Sequence, residues 1–132
     1  MLDREAIAGL IPHAGDMCLL DRALGWDDFS IRCRSDSHRR SDHPLRRDGR
    51  LGAVHLVEYA AQATAIHHAL LAPRPECAPM PGYLAAVRHV RLEVNWLDEI
   101  VASERTRADA LIARFNGEWG GSIEPVFTEA AY

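Results

Sequence analysis

A long, mostly apolar segment near the middle of the chain places the strongest constraint on the fold. Residues 51–72 predict one helix, roughly 30 Å long at about 1.5 Å per residue. A helix that is apolar on nearly every face has to be largely surrounded by protein. Glu58 nevertheless stands inside this segment, and a buried carboxylate is costly unless it is paired or hydrogen-bonded. Glu58 is therefore either compensated by the fold or a working acid.

The rest of the chain predicts a sheet around this helix. Residues 3–10 predict a short helix, and residues 18–26 and 29–36 predict two strands joined by a tight turn at Asp27-Asp28. Up to four more strands follow a proline-rich stretch, over residues 83–94, 100–108, 111–117 and 122–130. A chain of 132 residues forms one domain, residues 1–132. The predicted class is α+β, with one helix covered by a curved antiparallel sheet, and a helix buried on all sides hints at dimerisation.

Composition excludes several classes of function. The net charge of −4 argues against general nucleic-acid binding, and no apolar run reaches the length of a membrane span. Charged residues in the first dozen positions argue against a secretory signal. Cys18, Cys33 and Cys77 form no CxxC pair, so a disulfide framework and a zinc site are not predicted and a reduced, cytoplasmic protein is expected. All 15 basic residues are arginine, which excludes a Schiff-base lysine and a Walker-type phosphate loop.

Glu58 shares one stripe of the predicted helix with two other polar residues. His55 precedes it by three positions and Gln62 follows it by four, so the three side chains face the same way. One interpretation is a structural network in which Gln62 and a backbone group hold the carboxylate. The other interpretation is an acid that donates a proton to a substrate.

A histidine just before the helix offers Glu58 an acid–base partner. Pro44 favours extended backbone at His43 and so fixes the direction of its side chain. Two titratable groups in different environments can divide two proton transfers between them. At the helix start, free backbone N–H groups suit a developing oxyanion. These N–H groups lie in the stretch Gly52, Ala53 and Val54.

Three stretches of the chain together resemble a known family of enzymes. They are IPHAGDMCLLDRALGWD, then DHPLR followed by LGAVHLVEYAAQA, and finally GYLAAVRHVRLE. Over about residues 10 to 95 the chain resembles the hotdog-fold 3-hydroxyacyl-carrier-protein dehydratases, most closely the branch associated with aryl-polyene biosynthesis. The resemblance implies a hotdog fold, in which a curved antiparallel sheet wraps one long central helix. It also implies a homodimer, with the catalytic histidine and glutamate meeting across the interface.

The resemblance assigns roles to individual residues. His43 matches the catalytic histidine, and EYAAQ, from Glu58 to Gln62, matches the Glu-x-x-Ala-Gln motif. His43 would take the proton α to the thioester carbonyl, and Glu58 would protonate the departing 3-hydroxyl to give a trans-2-enoyl thioester. The N–H of Ala53 would stabilise the enolate-like oxygen, with Gly52, Val54 and Gln62 completing the substrate-binding set. The resemblance implies no metal or redox cofactor. It also implies that the substrate brings its own phosphopantetheine arm.

The loop before the helix carries an excess of positive charge. Seven arginines lie between Arg32 and Arg50, in a chain that is acidic as a whole. One interpretation is a solvated polar loop. The other is a docking surface for an acidic acyl carrier protein or its phosphate, since arginine suits phosphate and carboxylate recognition.

Other histidines and their neighbours are weaker candidates for reactive groups. His55 is an alternative partner for Glu58, but both would then sit on one rigid helix with little room for substrate. His13 lies in a loop and receives no chemical role. A metal site is not predicted, because no regular spacing aligns the candidates His38, Asp42 and His43.

Two rival functions remain open at this point. A hotdog thioesterase would use a carboxylate and a helix N-terminus to hydrolyse the thioester, but a histidine before the helix together with the glutamate motif favours dehydration. A non-catalytic subunit would complete the site of another hotdog protein. Activity of the isolated protein would exclude that second rival.

Overall fold

The computed structural model describes residues 1–72, 92, 95–99, 111–116 and 123–127. Two helices and four strands in this part are α1 (Arg4–Ala8), β1 (Arg22–Trp26), β2 (Ser30–Arg34), α2 (Leu56–Leu71), β3 (Leu111–Asn116) and β4 (Ile123–Phe127). These elements confirm the predicted α+β class and the strands expected near 111–117 and 122–130. The strands predicted over 83–94 and 100–108 lie outside the described residues, apart from position 92.

The strands form one antiparallel sheet in the order β1-β2-β3-β4. A tight turn joins the first two strands, and its first residue is Asp27. The Asp27 carboxylate accepts hydrogen bonds from the backbone N–H groups of Phe29 at 2.8 Å and Ser30 at 2.7 Å. Aspartate is typical of such turns because its side chain binds the backbone two residues on. The predicted turn is therefore confirmed.

Leu2 pairs with the outer edge of β1 at one residue, Ala23. The N–H of Leu2 donates to the carbonyl of Ala23 at 2.9 Å, and the N–H of Ala23 donates back at 3.0 Å. Helix α1 follows at once and begins after Asp3, whose carboxylate accepts a hydrogen bond from the N–H of Ala6. The predicted N-terminal helix is thereby confirmed and tied to the sheet edge.

Residues 18–21 were predicted as part of the first strand, but β1 begins only at Arg22. Side chains take the hydrogen bonds that a neighbouring strand would otherwise make. The N–H of Leu19 donates to the Gln62 amide oxygen at 2.9 Å, and the Leu19 carbonyl accepts from the hydroxyls of Ser35 and Ser37. A buried backbone group satisfied in this way has no need of a strand partner.

Helix α2 packs against β2, β3 and β4. Its inner face is fully buried at Tyr59, Ala63 and Ile66. A 3-10 turn, Ala53–His55, precedes the helix, so the helical segment starts slightly later than predicted. Two apolar side chains at the ends of this segment are exposed: Val54, in the 3-10 turn, at 60%, and Leu71, the last residue of the helix, at 40%. The described residues therefore do not confirm a helix surrounded on all sides.

Candidate active site around Glu58

Glu58 lies in the first turn of α2, on the outer side of the helix. Its side chain is 39% exposed, and its Oε1 is 3.5 Å from Nε2 of His13. The inner face is taken by Leu56, Tyr59 and Ala60, and successive helix residues point about 100° apart. The carboxylate is thus directed away from the core. The prediction that the protein interior buries Glu58 is wrong for the single chain.

Gln62, one turn after Glu58, holds the loop that brings His13 to this place. Its amide nitrogen donates to the carbonyl of Met17 at 2.6 Å, and its amide oxygen accepts from the N–H of Leu19 at 2.9 Å. Both polar groups of the fully buried amide are therefore used inside the protein. Gln62 anchors residues 17–19 against α2, which is a different role from the substrate contact that the motif suggested.

His13 completes the pair with Glu58 and was not among the predicted site residues. Its side chain is 29% exposed, with Nε2 facing the carboxylate. Its Nδ1 is buried and has no hydrogen-bond partner among the residues that the structure describes. Unpaired buried groups are rare in proteins, and some of them serve catalysis. The available signal was the stretch IPHAGDM, which belongs to the first segment of the family resemblance.

His43 lies on the inner side of α2 and is only 4% exposed. Its Nδ1 accepts the N–H of Leu45 at 3.1 Å, so the ring proton belongs on Nε2, which donates to the Tyr59 hydroxyl at 2.8 Å. The Tyr59 hydroxyl lies 2.7 Å from Oγ of Ser37, and that serine donates to the Leu19 carbonyl at 2.8 Å. The four groups form one buried hydrogen-bonded chain that ends on backbone.

Burial also determines the charge of His43 and Tyr59 in this hydrogen-bonded network. Burial, followed by the positive charges of Arg46 and Arg40, lowers the pKa of His43 to about 4. Burial raises the pKa of Tyr59 to about 12, so both groups are neutral near pH 7. Among the residues that the structure describes, no hydrogen bond or ion pair joins His43 to Glu58. The structure brings Glu58 together with His13 instead, and a pairing of His43 with Glu58 across a dimer stays a prediction.

The start of the helical segment offers a different backbone donor from the one predicted. The N–H of Ala53 donates to the carbonyl of Asn95 at 2.9 Å, and next to it the N–H of Leu97 donates to Leu51 at 2.7 Å. The Ala53 N–H is therefore occupied in this structure, and its role as oxyanion donor stays a prediction. The N–H of Val54 makes no hydrogen bond within the described residues, and Val54 is 60% exposed.

A cavity of about 300 Å³ lies beside this helix start. Its lining includes Arg47, Arg50, Gly52, His55 and Trp96. The Arg50 guanidinium is held in place, because its Nε is 2.8 Å from Asp98 and its Cζ is 4.5 Å from the centroid of the Trp96 ring. The predicted site residue Gly52 therefore lines a cavity that carries two arginines together with the carboxylate of Asp48.

The described residues also bear on the expectations for metal ligands, membrane spans and reactive thiols. Among the described residues, no three His, Cys, Asp or Glu side chains come close enough together to hold a metal ion. The same part of the chain contains no helix that is both long and apolar enough to cross a membrane. Cys18 and Cys33 are buried free thiols, and burial raises the pKa of Cys33 to about 12. Cys33 is thus poorly suited to act as a nucleophile.

Comparisons with known proteins assign the chain to a family. The family model of ApeP-like proteins, described as ApeP dehydratase, matches residues 5–120. A short segment is 46% identical over 39 residues to the chloroplastic glutamate–cysteine ligase of Arabidopsis thaliana, which covers 30% of this chain and 8% of the ligase. No solved structure matches the chain. Since the family model spans most of the sequence, it confirms the resemblance to the aryl-polyene branch, and the chain belongs to the ApeP-like dehydratase family.

Proposed function

We propose that the protein dehydrates a 3-hydroxyacyl thioester, carried on the phosphopantetheine arm of an acyl carrier protein, to the trans-2-enoyl thioester. One observation carries the proposal: in a chain of a dehydratase family, the Glu58 carboxyl lies 3.5 Å from an imidazole and both are open to solvent. Elimination of water needs one group that accepts a proton and one that donates a proton near the same substrate. The resemblance supports an acyl chain of the aryl-polyene type.

The chemistry follows from these groups without a further reactant. A histidine takes the proton from C2, and the C2–H electrons form the new C2–C3 double bond. The C3–O bond breaks as Glu58 donates its proton to the departing hydroxyl, and water leaves. Negative charge develops meanwhile on the thioester oxygen. The N–H of Val54, which has no hydrogen bond within the described residues, would stabilise this charge.

The cavity at the helix start supports a carrier-bound substrate. Arg47 and Arg50 line it, and arginine recognises phosphate through paired, planar hydrogen bonds. A phosphopantetheine arm placed there would bring its phosphate to the arginines. The acyl chain would continue past His55 toward Glu58, which follows one turn later on the same helix.

We also propose that the protein is a homodimer with a hotdog fold, in which a curved antiparallel sheet wraps α2. The packing of α2 on β2, β3 and β4 supports the fold. Exposed apolar side chains before the helix and at its end, Val54 and Leu71, support the dimer. A second copy beside the outer face of the helix would lower the exposure of Glu58.

Intact-mass spectrometry of a carrier protein loaded with a 3-hydroxyacyl chain tests the function. We expect the wild-type protein to remove one water from the acyl chain, and the Glu58→Gln variant to do so about 100-fold more slowly or worse. The matched control is Glu5→Gln, which removes an exposed carboxylate on α1 and should leave the rate unchanged. Release of the free carrier arm would indicate a thioesterase, and an unchanged chain would indicate a non-catalytic subunit.

A further inference from the structure

Two histidines lie near the start of α2, and they differ in whether a substrate can reach them. His13 contacts Glu58 through Nε2, and both side chains are partly exposed, at 29% and 39%. Among the described residues, His13 is the histidine that contacts the Glu58 carboxylate. A small movement from 3.5 Å would bring the pair to ordinary hydrogen-bond length. The pair is therefore assembled within one chain and open to a ligand.

His43 is occupied on both ring nitrogens. Nδ1 accepts the Leu45 N–H, and Nε2 is bonded to the Tyr59 hydroxyl at 2.8 Å. Proton removal by His43 would first require one of these buried hydrogen bonds to break. The released partner would then remain unpaired in the interior, which is unfavourable. His43 is thus built into the core and not into a substrate pocket.

We propose that His13 is the general base that works with Glu58, and that His43 is a structural residue which holds α2 through Tyr59 and takes no proton. The proposal rests on the proposed dehydration and names the base of that same site. Gln62 fixes residues 17–19 to the helix one turn after Glu58. His13, just before that anchored segment, is thereby kept beside the carboxylate.

The assignment gives a closed proton cycle. His13 Nε2 takes the C2 proton, and Glu58 gives its own proton to the leaving hydroxyl, so each turnover leaves an imidazolium beside a carboxylate. The proton then returns from His13 Nε2 to Glu58 Oε1 across their contact, and the starting state is restored. The net change is the loss of one water from the acyl chain.

The first test measures the rate at which three histidine variants dehydrate a loaded carrier protein. We expect His13→Gln, which keeps a hydrogen-bonding side chain beside Glu58, to lower the rate by about 100-fold or more with an unchanged thermal midpoint. His68→Gln is the matched control, because His68 is exposed on the same helix and lies outside the site. His43→Gln should lower the thermal midpoint and reduce the rate less than His13→Gln does. A larger loss in His43→Gln, with His13→Gln near wild type, would overturn the assignment.

Chemical labelling measures the accessibility of His13 and His43 without relying on turnover. Diethyl pyrocarbonate modifies accessible neutral imidazoles, and peptide mass spectrometry locates the label in the wild-type protein. We expect His13 and His68 to be labelled and His43 to be protected. Labelling of His43 with protection of His13 would overturn the proposal, even where His43→Gln fails to fold. If the wild-type protein dehydrates no chain, the proposed function fails, and the labelling still decides which histidine is accessible.

Discussion

At the scale of single residues, the surroundings of an imidazole decide its role more than its place in a motif does. His43 has the position before the helix that the family resemblance favours, yet its ring is enclosed and bonded at both nitrogens. His13 lacks such a position, yet it reaches Glu58. Sequence can indicate which residue types are present, but the direction in which a ring nitrogen points depends on the groups packed around it.

The buried state of His43 makes stability depend on pH. The pKa of His43 falls from 6.5 to about 4 on folding, so between these values the unfolded chain binds the extra proton. Stability contributed by neutral His43 is therefore full near pH 7 and is lost as the pH falls toward 4, by at most roughly 3 kcal/mol. Urea unfolding of wild type and His43→Gln across this range measures the effect. An equally steep pH dependence in the variant would contradict the prediction.

The Tyr59 hydroxyl links His43 to Ser37 and should contribute measurably to stability. Tyr59→Phe removes one oxygen and leaves two buried polar groups without their shared partner. We expect a loss of about 1–3 kcal/mol in the free energy of unfolding, measured by urea denaturation. Ser30→Ala, which removes an exposed hydroxyl bonded to Asp27, serves as control and should cost much less.

At the scale of elements, α2 works as a platform with two different faces. Its inner face fills the core, and its outer face presents Glu58. Between these faces Gln62 fixes the incoming loop at residues 17–19. Glu58 and Gln62 are one helical turn apart. The helix thus presents the reactive carboxylate next to the amide that anchors the loop carrying His13.

Removal of the Gln62 amide should affect both stability and the site. Gln62→Leu leaves the Met17 carbonyl and the Leu19 N–H buried without a partner, and we expect a loss of about 2–4 kcal/mol in the free energy of unfolding. Turnover should also fall at temperatures where the variant is fully folded, because the loop that carries His13 is released. Thr64→Ala removes a hydroxyl that donates within the helix to the Ala60 carbonyl, and this change should alter neither the free energy of unfolding nor the turnover much. Full activity of folded Gln62→Leu would contradict the anchoring role.

Local sequence patterns were enough to predict the hairpin at Asp27, the helix α1 and most of α2. These elements are determined by capping, turn chemistry and periodicity within a few residues. The start of β1 and the occupied N–H of Ala53 were missed, because each depends on a partner far along the chain, Gln62 and Asn95 respectively. The sequence identifies Glu58 because it is a charge in an apolar helix. His13 is identified only by the structure, in which Gln62 anchors the loop that carries it.

At the scale of the whole molecule, the open outer face of α2 is the expected dimer contact. Val54→Arg places a charge on this face one turn before Glu58, and we expect it to convert the dimer to monomer because a buried unpaired charge is costly. Sedimentation velocity measures the change. Phe29→Arg is the control, since Phe29 is equally apolar and 68% exposed but lies in the β1–β2 turn. Dissociation by Phe29→Arg alone would place the interface elsewhere.

The pairing of Leu2 with Ala23 has a consequence for handling the protein. β1 is the end strand in the order of the described strands, and an unpaired strand edge is a template on which other chains add. With Leu2 in place, the N–H and carbonyl of Ala23 are already taken. Trimming the first three residues would expose them, and the trimmed protein should precipitate at concentrations where the intact chain stays in solution.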